Sequence, residues 1–126
     1  MPELPSSPRI ELKNLFYVAK HPEKIEWESF KQGVAIHRIY GDPETGPAAV
    51  LLWYREAASV PLHEHTGYEH VLVLSGSQRD QSGIAEAGTL VVNAPGTQHD
   101  LVSDAGCIVL VIYEKPVRFI TAEPPV

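Results

Sequence analysis

Residues 63–76 read HEHTGYEHVLVLSG, and this stretch decides how the rest of the chain is interpreted. It places three groups that can bind a metal ion, His63, His65 and Glu69, directly before an apolar run that ends in a glycine. Because side chains alternate between the two faces of an extended segment, these three positions share one face and His70 points to the other. A divalent ion needs three or four converging nitrogen and oxygen ligands. The stretch therefore predicts part of a metal site beside a buried strand.

A second stretch, at residues 88–99, reads GTLVVNAPGTQH and repeats the combination of apolar strand, tight turn and histidine. Its last residue, His99, can complete a set of four ligands with His63, His65 and Glu69. A His-x-His pair alone is equally consistent with surface histidines on a polar loop. Because the second stretch supplies another candidate ligand after a strand and a tight turn, a metal site is favoured over surface histidines. The sequence therefore predicts a metal site at these four residues.

Between its turns, the chain is rich in β-branched and aromatic residues and lacks helical stripes. Its 11 prolines and 9 glycines recur at short intervals, and short strands between closely spaced turns are typical of an antiparallel sandwich or barrel. A helical turn is predicted only around residues 22–30, whereas Ile10, Leu12, Phe16 and Val18 indicate strand. The predicted strands are 33–40, 48–55, 70–75, 77–80, 84–87, 89–93, 99–102, 107–113 and 117–120.

Length and composition indicate a single globular domain. The chain has 126 residues, of which 44% are hydrophobic and 21% charged, as in ordinary folded domains. The only cysteine, Cys107, can form neither an intrachain disulfide nor a Cys-rich zinc site, and we expect it to be a buried thiol. Residues 1–9 lack the features of a signal peptide, and no stretch approaches the ~20 apolar residues of a membrane span. We therefore expect a cytoplasmic protein that does not bind membranes.

The net charge of −6 is unevenly distributed. Residues 1–42 carry six basic and six acidic side chains, whereas residues 43–126 carry four basic and ten acidic ones. A nucleic-acid-binding protein needs a basic face that neutralises phosphates, so this class is excluded. The remaining classes of partner are small molecules and proteins. The edge strands of an open barrel favour a homodimer in which a second copy covers these strands.

Several further side chains are candidates for lining a pocket. Aromatic residues on barrel strands most often belong to the core, and we expect this for Trp53, Tyr54, Tyr68 and Tyr113. The polar candidates near the mouth of the barrel are Arg55, Arg79 and Gln98. No general base stands out beyond the four proposed ligands.

The two ligand-bearing stretches resemble the two motifs of the cupin superfamily. The first motif is Gly, five residues, His-x-His, three or four residues, Glu, six residues, Gly, and residues 63–76 fit it at every ligand. The second motif is Gly, five residues, Pro-x-Gly, two residues, His, three residues, Asn, and it is matched by Gly88, Gly96 and His99. The departures fall on turn and framework positions, where glycine, proline and asparagine are replaced by Ala57, Ala94 and Ser103.

This resemblance implies an all-β fold, the double-stranded β-helix or cupin jelly roll. It assigns residues 1–126 to a single cupin domain, with N-terminal strands or an extension at 1–42, the barrel at 43–122 and a tail at 123–126. It implies a divalent transition metal on His63, His65, Glu69 and His99. Zinc and iron are the foremost candidates, and manganese, nickel and copper also suit nitrogen and carboxylate ligands.

Within the superfamily, segments 67–69 and 71–77 with Asp80, and segments 88–89, 93–96 and 106–107, look like the ChrR-type cupin family. In that family a cupin binds zinc at the C-terminal end of an anti-sigma factor, behind a separate domain that grips the sigma factor. Only some forty residues precede the barrel strands here, with no cysteine among them, so the anti-sigma activity is not carried over. Similar standalone cupins include metal-dependent dioxygenases that cleave small diketones or hydroxyketones, commonly with iron.

We therefore predict a small metal-binding cupin that binds or converts a small molecule. Two alternatives remain open: a metal-dependent dioxygenase for a small diketone or hydroxyketone, and a ligand-sensing or redox-sensing regulatory domain.

Overall fold

The computed structural model describes residues 9–121 of the chain. Within this part no helix is long and apolar enough to cross a membrane, and the predicted tail at 123–126 lies outside it. Ten strands dominate, with one short α-helix and one turn of 3-10 helix. The elements are α1 (Leu15–Lys20), the 3-10 turn (Pro22–Lys24), β1 (Glu28–Lys31), β2 (Val34–Gly41), β3 (Ala48–Tyr54), β4 (Ala58–His65), β5 (Glu69–Asp80), β6 (Gly83–Glu86), β7 (Leu90–Asn93), β8 (Gln98–Ser103), β9 (Cys107–Tyr113) and β10 (Val117–Phe119).

The strands form one curled antiparallel sheet. Their order is β1-β2-β3-β9-β5-β8-β4-β10, and β6 and β7 pair with β5 outside this path. The curl brings β3, β9 and the first half of β5 opposite β4 and β8, so that side chains from both groups share one core. This arrangement confirms the predicted all-β jelly roll.

Two apolar clusters lie on opposite faces of β3, β9 and β5. The inner cluster fills the barrel and includes Val50 and Val109, which are completely buried. The outer cluster attaches α1 to the sheet through Ala19, Leu51, Leu74 and Ile108. Because both faces are covered here, β3 and β9 are continuous apolar runs instead of alternating polar and apolar residues.

Strand β5 changes layers in its middle. Its first half pairs with β7 and β9, whereas its second half pairs with β6 and touches β8. The crossing occurs at Gly76, which has a φ of +72°, next to an irregularity in the pairing with β9. The prediction of two strands separated by a glycine turn is therefore corrected to one strand with a corner.

The predicted strands do not include β4, which carries two of the proposed ligands. Its middle contains Pro61, which lacks a backbone N–H and is normally confined to edges or bulges. The pairing of β4 with β8 shifts between Val60 and His63, so Pro61 occupies an irregular position. A bulge thus lets a proline lie inside a paired strand.

The N-terminal region differs from the prediction in both helix and strand. The predicted helical turn at 22–30 is a 3-10 turn followed by β1, and Phe16 and Val18, predicted as strand, lie in α1. Ile10 and Leu12 lie outside regular structure. The reason is tertiary: α1 buries Ala19 on the outer apolar face of the sheet, and such packing overrides local strand preference.

Ala57 replaces the first glycine of the motif, and it keeps a left-handed backbone with a φ of +66°. This conformation costs a non-glycine residue roughly 1–2 kcal/mol. That cost is larger than the stability lost when a glycine increases the conformational entropy of the unfolded chain. We expect Ala57→Gly to raise the free energy of unfolding by about 0.5–1 kcal/mol in urea titrations. Ala58→Gly, in the adjacent strand position, should lower it by a similar amount. A loss of stability in both variants would contradict the strain at Ala57.

Candidate metal centre

The fold brings the four predicted ligands to one end of the barrel. His63 and His65 lie on β4, Glu69 begins β5 and His99 lies on β8, where it is paired directly opposite His63. Their exposed fractions are 4%, 1%, 7% and 9%, respectively. The alternation argument holds for the two histidines of β4, but Glu69 arrives from the next strand after a tight turn, so shared parity is not what places it.

The three imidazoles form a compact triangle. One nitrogen of each ring lies within 4.8 Å of the corresponding atoms of the other two. The ring centroids are 5.1 Å apart for His63 and His65, 4.7 Å for His63 and His99, and 4.8 Å for His65 and His99. The rings meet at steep angles of 66° to 83°, so their edges, not their faces, converge. Edge convergence is what nitrogen ligands of one ion need, since each lone pair lies in its ring plane.

Hydrogen bonds fix which nitrogen of each ring carries the proton. The Nδ1 atom of His63 lies 2.8 Å from the Pro61 carbonyl oxygen, and that of His65 lies 3.1 Å from the Thr97 carbonyl oxygen. The Nδ1 atom of His99 lies 2.9 Å from the Asp80 carboxylate. These oxygens only accept, so each Nδ1–H donates, and the tautomer that this selects has its lone pair on Nε2. Partners of this kind orient metal-binding histidines in many proteins.

The Nε2 atoms of His65 and His99 are buried without a hydrogen-bond partner in the described part of the chain. A buried polar atom without a partner carries a desolvation cost of about 1–3 kcal/mol. Burial lowers the pKa of His63, and its neighbours His99 and His65 lower it further, which favours the neutral form that binds metals. The donor set therefore fits a divalent cation.

Glu69 lies beside this triangle. Its Oε1 atom accepts a hydrogen bond of 3.1 Å from the Asn93 amide and lies 3.4 Å from the Nε2 atom of His65. No lysine or arginine forms an ion pair with this carboxylate among residues 9–121. Burying an ionised carboxylate is costly unless a positive charge compensates it, so the position of Glu69 beside the three rings suits a site that receives a cation.

Asp80 was noted in the sequence only as part of the family resemblance, and a place beside the candidate metal centre was not predicted for it. Partial burial alone would raise the pKa of this carboxyl group, but hydrogen bonds from His99 and from the backbone of Ser82 hold it below its usual range. Asp80 therefore stays ionised and polarises the His99 ring. Thr97, which also contacts Nδ1 of His65 through its hydroxyl at 2.9 Å, was missed too, because such supporting contacts have no fixed spacing from the ligands.

A cavity of about 540 Å³ opens beside the triangle and extends between the two layers of the barrel. His63, His99 and Glu69 line one part of it together with Asn93 and Tyr113. Most of the remaining wall is apolar, as in small-molecule sites generally. Only two basic residues occur among the described lining residues, Lys31 and Arg79. Each is paired, with Glu44 at 3.6 Å and Asp104 at 2.9 Å.

The pocket candidates divide into inner and outer residues. Tyr54 and Tyr113 are buried in the inner cluster and line the cavity, as expected for core aromatics. The same expectation is wrong for Trp53 and Tyr68, which are exposed. Trp53 faces outward on β3 against Trp27, and Tyr68 lies in the turn before β5. Among the polar candidates, Arg79 lines the cavity, whereas Arg55 and Gln98 do not.

Cys107 is buried at the start of β9, as the sequence predicts. Burial raises the pKa of its thiol to about 11. The thiolate is the reactive form of cysteine, so this side chain is a poor nucleophile at neutral pH.

Residues 17–117 match the family model described as ChrR Cupin-like domain. The chain is 32% identical over 117 residues to the anti-sigma-E factor ChrR of Cereibacter sphaeroides, an alignment that covers 90% of this chain and 54% of that protein. The chain thus spans about half the length of this relative.

Two solved structures extend the comparison. The complex of Rhodobacter sphaeroides SigE with the anti-sigma ChrR matches with a TM-score of 0.63 and 29% identity, covering 72% of this chain and 49% of the other. An acetylacetone dioxygenase from Acinetobacter johnsonii matches with a TM-score of 0.71 over 96% of this chain and 83% of the other. Its identity is 14%, so the likeness concerns the fold.

Proposed function

Because this chain belongs to the ChrR cupin-like family, we propose that it is a metal-binding cupin that takes up a small molecule beside its metal. His63, His65, His99 and Glu69 are the proposed ligands. The observation that carries the proposal is the pair of buried, unpartnered Nε2 atoms on His65 and His99, whose Nδ1 atoms are already engaged. Buried Nε2 lone pairs on rings that are oriented through Nδ1 are typical of histidines that bind a metal ion.

Three neutral imidazoles and one carboxylate suit zinc and iron best in this proposal, with manganese, nickel and copper also compatible. When bound, the ion supplies a Lewis acid toward an oxygen atom of the small molecule. The protein's own residues orient the rings, exclude bulk water and present the cavity. Elemental analysis of protein purified without added metal tests the proposal, with about one ion per chain expected. Protein that contains no ion and takes up neither zinc nor iron would contradict it.

The role of Glu69 can be measured with Glu69→Gln. The amide keeps the size of the side chain and can still contact Asn93, but it removes the negative charge and the better oxygen ligand. We expect metal affinity to fall by ~10–100-fold, a scale reached even by groups that contact metal ligands indirectly. Competition with a chromogenic chelator would measure this loss. Unchanged affinity in a folded Glu69→Gln variant would assign only the three histidines to the metal.

A second candidate is a dioxygenase that acts on a small diketone or hydroxyketone. The feature that favours it is the largely apolar cavity, in which both lining cations, Lys31 and Arg79, already pair with carboxylates; this suits an uncharged molecule. Oxygen uptake by iron-loaded protein with a panel of 1,3-diketones and hydroxyketones tests it. Uptake that depends on substrate and is absent in His99→Ala would support it, and no uptake with any member would reject it.

A regulatory role as a ligand sensor requires the same cavity and a partner protein. Sensing through Cys107 is disfavoured, because burial raises the pKa of its thiol to about 11 and leaves little thiolate to react with an oxidant. In a regulatory protein, the sensing group would therefore be the metal site. A ligand that binds without turnover would favour this role over the dioxygenase.

We also propose a homodimer through the outer face of the sheet around β7. This strand pairs only with β5 within the described residues, and Leu90, Val92 and Ile112 on this face are 59%, 50% and 41% exposed. The neighbouring outward positions are His70, Leu72 and Leu110, so none of these six positions on β5, β7 and β9 carries a carboxylate, lysine or arginine. Contiguous exposed apolar patches commonly mark protein interfaces. A second copy presents the same uncharged face, as a two-fold interface requires.

Light scattering coupled to size-exclusion chromatography at micromolar concentration should show a dimer. Val92→Asp is expected to convert it to a monomer, because each interface would then bury charge without a partner. Tyr40→Asp, at an exposed position on β2, should remain dimeric. A monomeric wild-type protein would contradict the interface.

A further inference from the structure

The cavity carries polar groups away from the metal ligands as well as beside them. Glu69 is paired with Tyr113 at one end of β9, whereas Tyr54 is paired with Cys107 at the other end. The six residue steps between these positions correspond to roughly 20 Å between backbone positions along the strand, although the Tyr54 side chain reaches into the cavity far enough for the charge of Glu69 to act on its hydroxyl. Tyr54 and Gln78 nevertheless both line the same cavity as Glu69. The proposed metal ligands therefore line the cavity from one end of β9, and Tyr54 and Gln78 line it from the other end.

The Tyr54 hydroxyl is suited to donate a hydrogen bond. Burial raises the pKa of Tyr54 well above its usual range, and Cys107 and Glu69 raise it further, so the phenol keeps its proton. The Gln78 side chain lies beside this hydroxyl and beside the Cys107 thiol. An amide N–H can donate to the phenol oxygen, which leaves the hydroxyl proton free for an acceptor in the cavity.

Apolar side chains of both layers line the cavity at strand positions between the two ends, namely Leu52, Val60, Val71, Leu101 and Val111. A hydrogen-bonding group at the end of an apolar channel gains strength from the low dielectric constant and is costly to leave unpaired. This arrangement favours a ligand whose ends are polar and whose middle is not.

We propose that the cavity binds an elongated, uncharged molecule with an oxygen function at each end, one held at the metal site and the other held by Tyr54 with Gln78. This inference rests on the proposed metal-binding function and adds the chemical class of the ligand. The cavity volume of about 540 Å³ is in the usual range for small-molecule sites. The alternative is that Tyr54, Gln78 and Cys107 hydrogen bond only with one another and never with a ligand.

A set of synthetic probes separates these two cases. Alkanohydroxamates bind metal ions through their two oxygens, and each can be compared with the hydroxamate of the same chain length that carries a terminal hydroxyl. Calorimetry on zinc-loaded protein would measure both affinities from propyl to octyl chains. At the length that reaches Tyr54, we expect the terminal hydroxyl to improve affinity about five- to tenfold, the value of one hydrogen bond in a buried site.

Tyr54→Phe removes only the hydroxyl and should reduce this preference to about twofold or less, while the affinity of the plain hydroxamate stays within about threefold. Tyr40→Phe, at an exposed tyrosine, is the matched control and should keep the preference. If Tyr54→Phe does not fold, Gln78→Met provides the same test from the other partner.

The outcomes separate the inference from the function on which it rests. Hydroxamate binding without any preference for the terminal hydroxyl would overturn the two-ended ligand while leaving the metal site intact. A preference that survives in Tyr54→Phe, or in Gln78→Met where Tyr54→Phe does not fold, would have the same consequence. Protein that takes up neither zinc nor iron and binds no hydroxamate would overturn the metal site itself.

Discussion

Gly76→Ala is expected to prevent the protein from folding stably. A Cβ atom at this position would lie 2.0 Å from the carbonyl oxygen of Gly106 and 2.8 Å from the Cα atom of Cys107. Both are backbone atoms at the start of β9, and that strand is fixed by its pairing with β3 and β5. The backbone at Gly76 also has a φ of +72°, which alone costs an alanine roughly 1–2 kcal/mol. Clash and strain together should exceed about 4 kcal/mol, a large fraction of a typical domain's stability.

Urea denaturation of three glycine variants would separate the contributions to this loss. Gly83 has a φ of +130° but open space around it, so Gly83→Ala should show only the backbone strain. Gly46 has neither a positive φ nor a neighbour within 4 Å, and Gly46→Ala should be nearly neutral. If Gly76→Ala is no less stable than Gly83→Ala, the close approach of β5 to the Gly106 turn is wrong.

The corner at Gly76 also connects the fold to the site. The part of β5 before it places Glu69 beside the imidazole triangle, and the part after it carries Gln78 and Asp80 to the cavity. Loss of the corner should therefore abolish metal binding together with the fold. The glycine of the first motif is in this sense a condition for the site, although it is not a ligand.

The sequence predicted those parts of the site that depend on local order along the chain. His63 and His65 lie on one strand, so alternation alone placed them on one face. His99 was predicted because strand, turn and histidine repeat in the second stretch. Glu69 does lie beside the imidazole triangle, but the parity from which this position was predicted is interrupted by the turn before β5, and its role as a ligand stays a prediction.

The supporting contacts could not be predicted in the same way. The Pro61 carbonyl that orients His63 is a backbone group, and every residue has one. Asp80 reaches His99 from a different strand, so no sequence spacing connects them. The helix α1 was missed for a related reason: it forms where residues 15–20 meet the outer face of the sheet, and that face exists only after distant strands have paired.

His63→Ala and His99→Ala are each expected to abolish stoichiometric metal binding. Each change removes one of the imidazole nitrogens that converge within 4.8 Å, and neither alanine nor a weakly held water replaces its bond to the ion. The loss should exceed the ~10–100-fold expected for groups that act indirectly on a metal, so affinity should fall at least ~100-fold. Metal content after dialysis against a chelator would measure it, with circular dichroism confirming that each variant keeps its β structure.

His70→Ala is the matched control, because His70 follows Glu69 directly in sequence but lies on the opposite side of β5. Its backbone is paired with Val92 and Ile112, two exposed residues of the outer face, and it does not belong to the imidazole triangle. We expect this variant to retain a full complement of metal. Equal loss of metal from His70→Ala would show that the register of β5 is shifted by one residue. Full retention by His99→Ala would remove β8 from the site. Either result would contradict the assignment, because it rests on the convergence of β4, the start of β5 and β8 at one end of the barrel.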